Sequence, residues 1–157
     1  MIADPVPPSP PRSHGLTLAL GGGGARGLAH IGVLSVLHRE GIRVRALAGA
    51  SMGALVGALY AAGIPPAEME REAKRLSALR EMVRLVDVGL GLGGIALRGE
   101  KITEYLGERI GRELRVEELH LPWAALAVDI RTGVALTLDR GPVLDAVRAS
   151  ISIPGVF

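Results

Sequence analysis

The apolar positions of the chain fall into two patterns, short continuous runs and longer segments in which they recur every three or four residues. Short runs are typical of buried strands and occupy residues 16–20, 43–48, 123–130 and 134–138. Helical spacing covers residues 28–40, 52–62, 66–86, 100–110 and 142–150. The first helix places four apolar residues on one side, Leu28, Ile31, Leu34 and Leu37.

This order of elements predicts an α/β fold, a three-layer sandwich with a mostly parallel central sheet flanked by helices. Residues 131–133 between the last two strands predict a β-hairpin. Five glycines between Gly89 and Gly99 predict a loop. Residues 1–15 are rich in proline and predict a disordered tail, which leaves one domain over residues 16–157.

Composition narrows the possible functions. The chain has no cysteine, which excludes a disulfide framework, a cysteine zinc site and a cysteine nucleophile. Its net charge is +2 and it has no basic block, so we expect no nucleic-acid partner. Glycine accounts for 22 of the 157 residues, about twice the usual share of roughly 7%. These glycines cluster after the first two predicted strands, where ligands bind in open α/β sheets.

The segment after the second strand carries the first candidate chemistry. Gly49-Ala50-Ser51-Met52-Gly53 matches G-x-S-x-G between a strand and a helix, the setting of a nucleophile elbow. In that turn Ser51 is the nucleophile, and the small residues beside it permit the tight backbone. The alternative is an ordinary strand–helix turn in which Ser51 only caps the helix.

The loop after the first strand, Gly22-Gly23-Gly24-Ala25-Arg26-Gly27, fits G-x-G-x-x-G and has three interpretations. It could bind a dinucleotide, although the second strand does not end in the acidic residue that such sites use for the ribose. It could form an oxyanion hole from successive backbone N–H groups, with Arg26 supporting the loop. It could also be a turn that lets helix and strand pack closely.

A serine nucleophile needs a base, and the positions of the histidines in the sequence do not favour any of them for this role. His14 lies in the tail, and His30 and His38 lie on the first helix, where surface or packing roles are expected. A Ser–Asp–His order would require Asp87 and His120. The alternative is a Ser–Asp dyad, in which a carboxylate activates the serine directly.

Residues 46–64 contain no charged side chain and approach the length of a membrane span. A small membrane protein with a helix in this segment is therefore a further alternative. A buried strand followed by a buried helix rich in alanine and glycine explains the same stretch without a membrane.

Three segments in this order resemble the motifs of patatin-like phospholipases, and most closely the bacterial members related to neuropathy target esterase. They are Gly22–Gly27, Gly49–Gly53 and Ala149-Ser150-Ile151-Ser152-Ile153-Pro154. Residues 127–133 also look like a segment of that family. The resemblance covers residues 16–157.

The resemblance implies a lipid acyl-ester hydrolase with a Ser–Asp dyad and no metal or other cofactor. Ser51 matches the nucleophile and the Gly22–Gly27 loop matches the oxyanion hole. The partners implied are a lipid or acyl-ester substrate and a peripheral contact with a membrane surface, and the implied location is the cytoplasm or the membrane periphery.

One departure from the family pattern affects the expected activity. The family's catalytic aspartate lies in an Asp-Gly motif after the Ala-Ser segment, and this sequence contains no Asp-Gly pair. We therefore expect an incomplete hydrolase domain that is inactive or nearly so. The alternatives are a non-catalytic module that binds lipid or anions and, with less support, a nucleotide-binding domain.

Overall fold

The computed structural model of the chain describes residues 15–78 and 102–152. The strands are β1 (Leu16–Leu20), β2 (Val44–Ala50), β3 (Trp123–Val128) and β4 (Ala135–Leu138). The helices are α1 (Ala29–Arg39), α2 (Met52–Ala61), α3 (Pro66–Ala78), α4 (residues 102–110) and α5 (Val143–Ile151), with 3₁₀ turns at Gly24–Leu28 and Val116–Glu118. The tail, residues 79–86 of the predicted helix 66–86, the loop at 89–99 and residues 153–157 lie outside the described residues.

The four strands form one sheet in the order β1-β2-β3-β4. β1 and β3 both run parallel to β2, and β4 is antiparallel to β3, so the predicted hairpin is confirmed. An α/β fold with a mostly parallel sheet is therefore also confirmed. Leu20 pairs with Gly49, and Ala50 pairs with Leu126, which brings the carboxyl ends of the three parallel strands to one edge.

Helix α2 forms the centre of the core and packs on β1, β2 and β3. Every residue of α2 except Tyr60 is buried, as an alanine- and glycine-rich helix between layers permits. A Cβ at Gly57 would lie 2.9 Å from Nε1 of Trp123. Because glycine has no Cβ, the indole of Trp123 packs directly on the backbone of α2. This packing accounts for the uncharged stretch at 46–64, and no helix among the described residues is long and apolar enough to cross a bilayer.

The remaining helices attach to this centre. α1 contacts α2 and α3 and buries Ile31 and Leu34, two residues of its predicted apolar side. α5 packs on β3 and α2 through Val143, Ala146 and Val147, which are at most 4% exposed.

Helices α3 and α4 are joined by a cluster of charged and polar side chains. The Arg109 guanidinium pairs with the carboxylates of Glu68 and Glu72. The Tyr105 hydroxyl donates a hydrogen bond to Glu72, and burial, followed by this contact with a carboxylate, raises the pKa of Tyr105 above its usual range. These side-chain contacts hold α4 against α3.

Candidate active site

Ser51 lies on the turn between β2 and α2 and has an unusual backbone conformation. Its φ is 52° and its ψ is −119°, and it is the only non-glycine residue with positive φ in the described part of the chain. Such a conformation costs a residue with a Cβ about 1–3 kcal/mol and persists only where the surroundings impose it. The strained turn is the one that the G-x-S-x-G pattern predicts.

Two glycines make this turn possible because backbone atoms approach where a side chain would stand. A Cβ at Gly49 would lie 2.4 Å from the carbonyl oxygen of Gly53. A Cβ at Gly53 would lie 2.1 Å from the carbonyl oxygen of Leu20, at the end of β1. The first turn of α2 therefore sits directly against the end of β1, as only glycine at both positions allows.

The Ser51 side chain is not used to cap the helix. Its carbonyl oxygen accepts the N–H groups of Ala54 and Leu55, which begins α2, but the hydroxyl makes no capping hydrogen bond. The interpretation of Ser51 as only a helix cap is therefore wrong. The hydroxyl instead stands at the amino end of a buried helix, where the helix dipole favours negative charge.

The glycine-rich loop lies beside this serine. A Cβ at Gly22 would stand 3.5 Å from Cβ of Ser51. Gly23 and Gly24 have φ of 136° and 55°, values that residues with a side chain rarely adopt. The loop then enters a short 3₁₀ turn, Gly24–Leu28, in which the N–H of Arg26 bonds to the carbonyl oxygen of Gly23. The two motifs of the sequence are thus adjacent at the carboxyl edge of the sheet.

Contacts on both sides hold the loop in place. A Cβ at Gly27 would lie 2.6 Å from Cβ of Met52, so the end of the loop packs on the residue that follows the serine. The half-buried His30 on α1 places Nε2 2.9 Å from the carbonyl oxygen of Gly21. The expectation of a surface or packing role for His30 overlooked this hydrogen bond, which a histidine one helical turn past a glycine loop could have suggested.

Ser51 also has a partner that is distant in sequence. Its backbone N–H donates to Oγ of Ser150 at 2.8 Å, and that hydroxyl donates in turn to the carbonyl oxygen of Leu126 at 2.6 Å. Ser150 belongs to the Ala149–Pro154 segment, for which the sequence suggested no role. No local pattern near Ser51 points to this contact.

The position of His120 excludes it as a base for Ser51. The N–H of His120 bonds to the carbonyl oxygen of Ala61, and its ring lies next to Gly63, beyond the carboxyl end of α2. Ser51 precedes the amino end of the same ten-residue helix, a separation of about 15 Å. A triad with His120 is therefore wrong, and Asp87 lies outside the described residues.

Asp129 stabilises the turn between β3 and β4 through both its side chain and its backbone. Its carboxylate accepts the backbone N–H of Arg131 at 2.8 Å, and its carbonyl oxygen accepts the N–H of Gly133 at 2.7 Å. These bonds close the turn between β3 and β4. The carboxylate of Asp139 contacts the side chain of its neighbour Arg140.

The sheet order does not favour a dinucleotide site. Dinucleotide-binding folds place the first strand between two parallel neighbours. In the described sheet, β2 holds that central position and β1 pairs with β2 at an edge. β2 also ends directly in the Ser51 turn, with no acidic residue for a ribose.

Comparisons with a family model and with known proteins point to the same family. Residues 18–157 match the patatin-like phospholipase family. An uncharacterized NTE family protein of Mycobacterium tuberculosis is 44% identical over 142 residues, which cover 90% of this chain and 38% of that protein. The neuropathy target esterase sws of Drosophila persimilis is 30% identical over 144 residues, covering 90% of this chain and 10% of its own length.

Among solved structures, the type III effector protein ExoU has a similar fold. One structure gives a TM-score of 0.51 at 17% identity and covers 92% of this chain and 41% of that chain. ExoU of Pseudomonas aeruginosa in complex with SpcU gives 0.54 at 18% identity, over 91% of this chain and 39% of that chain. The chain thus spans well under half the length of these proteins. By the match over residues 18–157, it belongs to the patatin-like phospholipase family.

Proposed function

We propose that this chain carries the nucleophile and the oxyanion-binding loop of a serine-dependent lipid acyl-ester hydrolase. The observation that carries the proposal is the backbone of Ser51, strained at φ 52° between two obligatory glycines, with its hydroxyl not used as a cap. A packing turn has no need of such strain at a serine, whereas a nucleophile must project from the chain to meet a substrate. The adjacent Gly22 supports the same assignment.

In the proposed reaction, Oγ of Ser51 attacks the carbonyl carbon of an ester and forms a new C–O bond. The carbonyl oxygen becomes an oxyanion, which backbone N–H groups of the Gly22–Gly27 loop would bind. The serine proton passes to a base and then to the departing alcohol. Water attacks the acyl-serine, which releases the carboxylic acid and returns the proton to Ser51.

The base is the part of this mechanism that the sequence does not supply in its family form. It contains no Asp-Gly pair, and Asp129 and Asp139 are engaged in turn and neighbour contacts. A general base contributes typically 10²–10⁴-fold to a rate. We therefore propose that the chain of 157 residues reacts slowly at Ser51 and turns over esters poorly.

The proposed substrates are the acyl esters of phospholipids or lysophospholipids, in keeping with the family. Such substrates lie in membranes or micelles, so the proposal includes contact with a lipid surface from the cytoplasmic side. Family membership supports the lipid class of the substrate.

The experiment that tests the proposal is covalent labelling of Ser51. The chain is incubated with a fluorophosphonate probe, its intact mass is followed in time, and the labelled peptide is identified. Ser51→Ala should abolish labelling. Ser152→Ala is the matched control because, among the described residues, its hydroxyl donates only to the carbonyl oxygen of Arg148 on α5. Equal labelling of Ser51→Ala and the wild type would contradict the assignment.

A second set of measurements separates the hydrolase from a binding module. The missing Asp-Gly pair favours the binding alternative for this particular chain. Vesicles of lysophosphatidylcholine and phosphatidylglycerol are offered, and both sedimentation with the vesicles and release of fatty acid are measured. Binding with no labelling of Ser51 would replace the hydrolase with a lipid-binding role.

A further inference from the structure

The side chain of Ser150 connects three parts of the molecule that meet at the candidate site. It lies on the last turn of α5, 99 residues after Ser51. Its Oγ accepts the N–H of Ser51 at 2.8 Å and donates to the carbonyl oxygen of Leu126 on β3 at 2.6 Å. One hydroxyl therefore joins the Ser51 turn to β3 and α5.

The contact with Ser51 is made at the residue whose conformation is strained. The N–H of Ser51 belongs to the peptide between Ala50 and Ser51, and rotation of that peptide changes φ of Ser51, which is 52°. Rotation of φ also moves Cβ and Oγ of Ser51 relative to the Gly22 loop, which lies beside that Cβ. A hydrogen bond that fixes the peptide thus fixes the direction in which the nucleophile points.

The hydrogen bond from Ser150 to Leu126 fixes the orientation of the Ser150 hydroxyl, and so its role as acceptor from Ser51. A hydroxyl has a single proton, and that of Ser150 is donated to the carbonyl oxygen of Leu126. A lone pair of the same oxygen is then left facing the N–H of Ser51. Leu126 on β3 pairs with Ala50, the last residue of β2, and Ser51 follows Ala50 directly, so this chain of hydrogen bonds links the ends of two neighbouring strands.

We propose that Ser150 is a positioning residue, which holds the backbone of Ser51 in the conformation required for attack on the ester. This inference rests on the proposed function of Ser51. The attachment of α5 itself depends on the buried Val143, Ala146 and Val147, which a change at Ser150 leaves in place. Loss of the hydroxyl should therefore affect the reactivity of Ser51 more than the folding of the domain.

The test compares Ser150→Ala, Ser150→Thr and the control Ser152→Ala. Ser152 lies two residues further on, and its hydroxyl donates a hydrogen bond to the carbonyl oxygen of Arg148 at 2.8 Å. For each variant, hydrogen exchange of the Ser51 amide is measured by nuclear magnetic resonance. The rate of fluorophosphonate labelling at Ser51 is measured over a range of probe concentrations, well below the temperature of unfolding and per folded molecule.

We expect Ser150→Ala to lose protection of the Ser51 amide and to lower the limiting labelling rate at saturating probe about fivefold, the effect of one hydrogen bond of ordinary strength. The probe concentration that gives half of this rate should stay the same, because probe binding does not use the Ser51 amide. Ser152→Ala should match the wild type in both measurements. Ser150→Thr retains a hydroxyl, so its labelling rate at Ser51 should follow the protection of the Ser51 amide: if the amide stays protected, the rate should stay at the wild-type value.

Three results would overturn the inference, and they differ from failure of the proposed function. An amide as protected in Ser150→Ala as in the wild type would show that the bond is absent. Lost protection with an unchanged labelling rate would show that the bond has no part in reactivity. An equal loss of rate in Ser152→Ala would indicate a general effect on α5. A wild-type chain that is never labelled would instead overturn the hydrolase assignment, and the positioning role with it.

Discussion

The contact between α2 and the end of β1 can be tested with a single methyl group. In Gly53→Ala, the new Cβ would stand 2.1 Å from the carbonyl oxygen of Leu20, 2.5 Å from its carbonyl carbon and 2.6 Å from the carbonyl oxygen of Gly21. Contacts under 3.0 Å are essentially never seen for a real Cβ, so the two elements must separate by at least 3.0 − 2.1 = 0.9 Å. These neighbours are backbone atoms, which cannot rotate away as a side chain could.

The expected magnitude follows from two opposing contributions. Replacing a glycine in a helix by alanine gains about 1 kcal/mol of helix propensity, whereas overpacking in a core costs typically about 1–3 kcal/mol. Because the clash at Gly53 is with backbone, we expect the upper end of that cost and a net loss of about 2 kcal/mol. Gly32 on α1 is the matched control, since it is exposed and a Cβ there has no neighbour within 4 Å. Gly32→Ala should raise the free energy of unfolding by up to about 1 kcal/mol.

The assay is urea unfolding followed by tryptophan fluorescence. The chain has one tryptophan, Trp123, which is 3% exposed and packs against α2 at Gly57, so its emission reports on this part of the core. With a slope of roughly 1–3 kcal/mol per molar urea, the midpoint of Gly53→Ala should fall by about 1 M, and that of Gly32→Ala should rise. Two variants that shift in the same direction by the same amount would refute the close approach of α2 to β1.

Two further predictions concern the strain at Ser51 and the cluster between α3 and α4. Ser51→Gly should be more stable than Ser51→Ala by about 1 kcal/mol, because only glycine is relieved of the strain at φ 52°; equal midpoints in urea would argue against a strained turn. The raised pKa of Tyr105 means that the folded chain holds this proton more tightly than the unfolded chain. Its stabilising contribution is therefore complete below the usual tyrosine pKa of about 10 and is lost as pH rises above it. Urea midpoints measured from pH 8 to 11 should fall less steeply in Tyr105→Phe, and identical slopes would contradict the raised pKa of Tyr105 and so the burial that is its main cause.

Local pattern predicted the elements of this fold well, with errors at their ends. β1 was predicted at its observed bounds, since a continuous apolar run between a tail and a glycine loop admits little else. β2 extends to Ala50, two residues past the predicted end. The sequence Gly-Ala there is typical of a turn, but pairing of Ala50 with Leu126 on β3 keeps it in the sheet. The partner strand decided this boundary, and it lies more than 70 residues away in the sequence.

The sequence alone was also sufficient to bring the two glycine motifs together. Both follow parallel strands, and the carboxyl ends of parallel neighbours meet at one edge of a sheet. The tight turn at Ser51 likewise follows from the glycines at positions 49 and 53, because backbone atoms stand where a Cβ at either position would lie.

Tertiary structure decided which distant side chains reach that edge. The hydrogen bond from Ser51 to Ser150 and the position of His120 at the far end of α2 depend on how α5 and the segment before β3 pack on the same helix. Periodicity shows which face of an element is buried, but it does not show which residues 60 or 100 positions away will lie against it. The proposed nucleophile Ser51 and its neighbouring glycine loop are therefore determined by local sequence, whereas the side chains that reach Ser51 from distant parts of the chain are determined by packing.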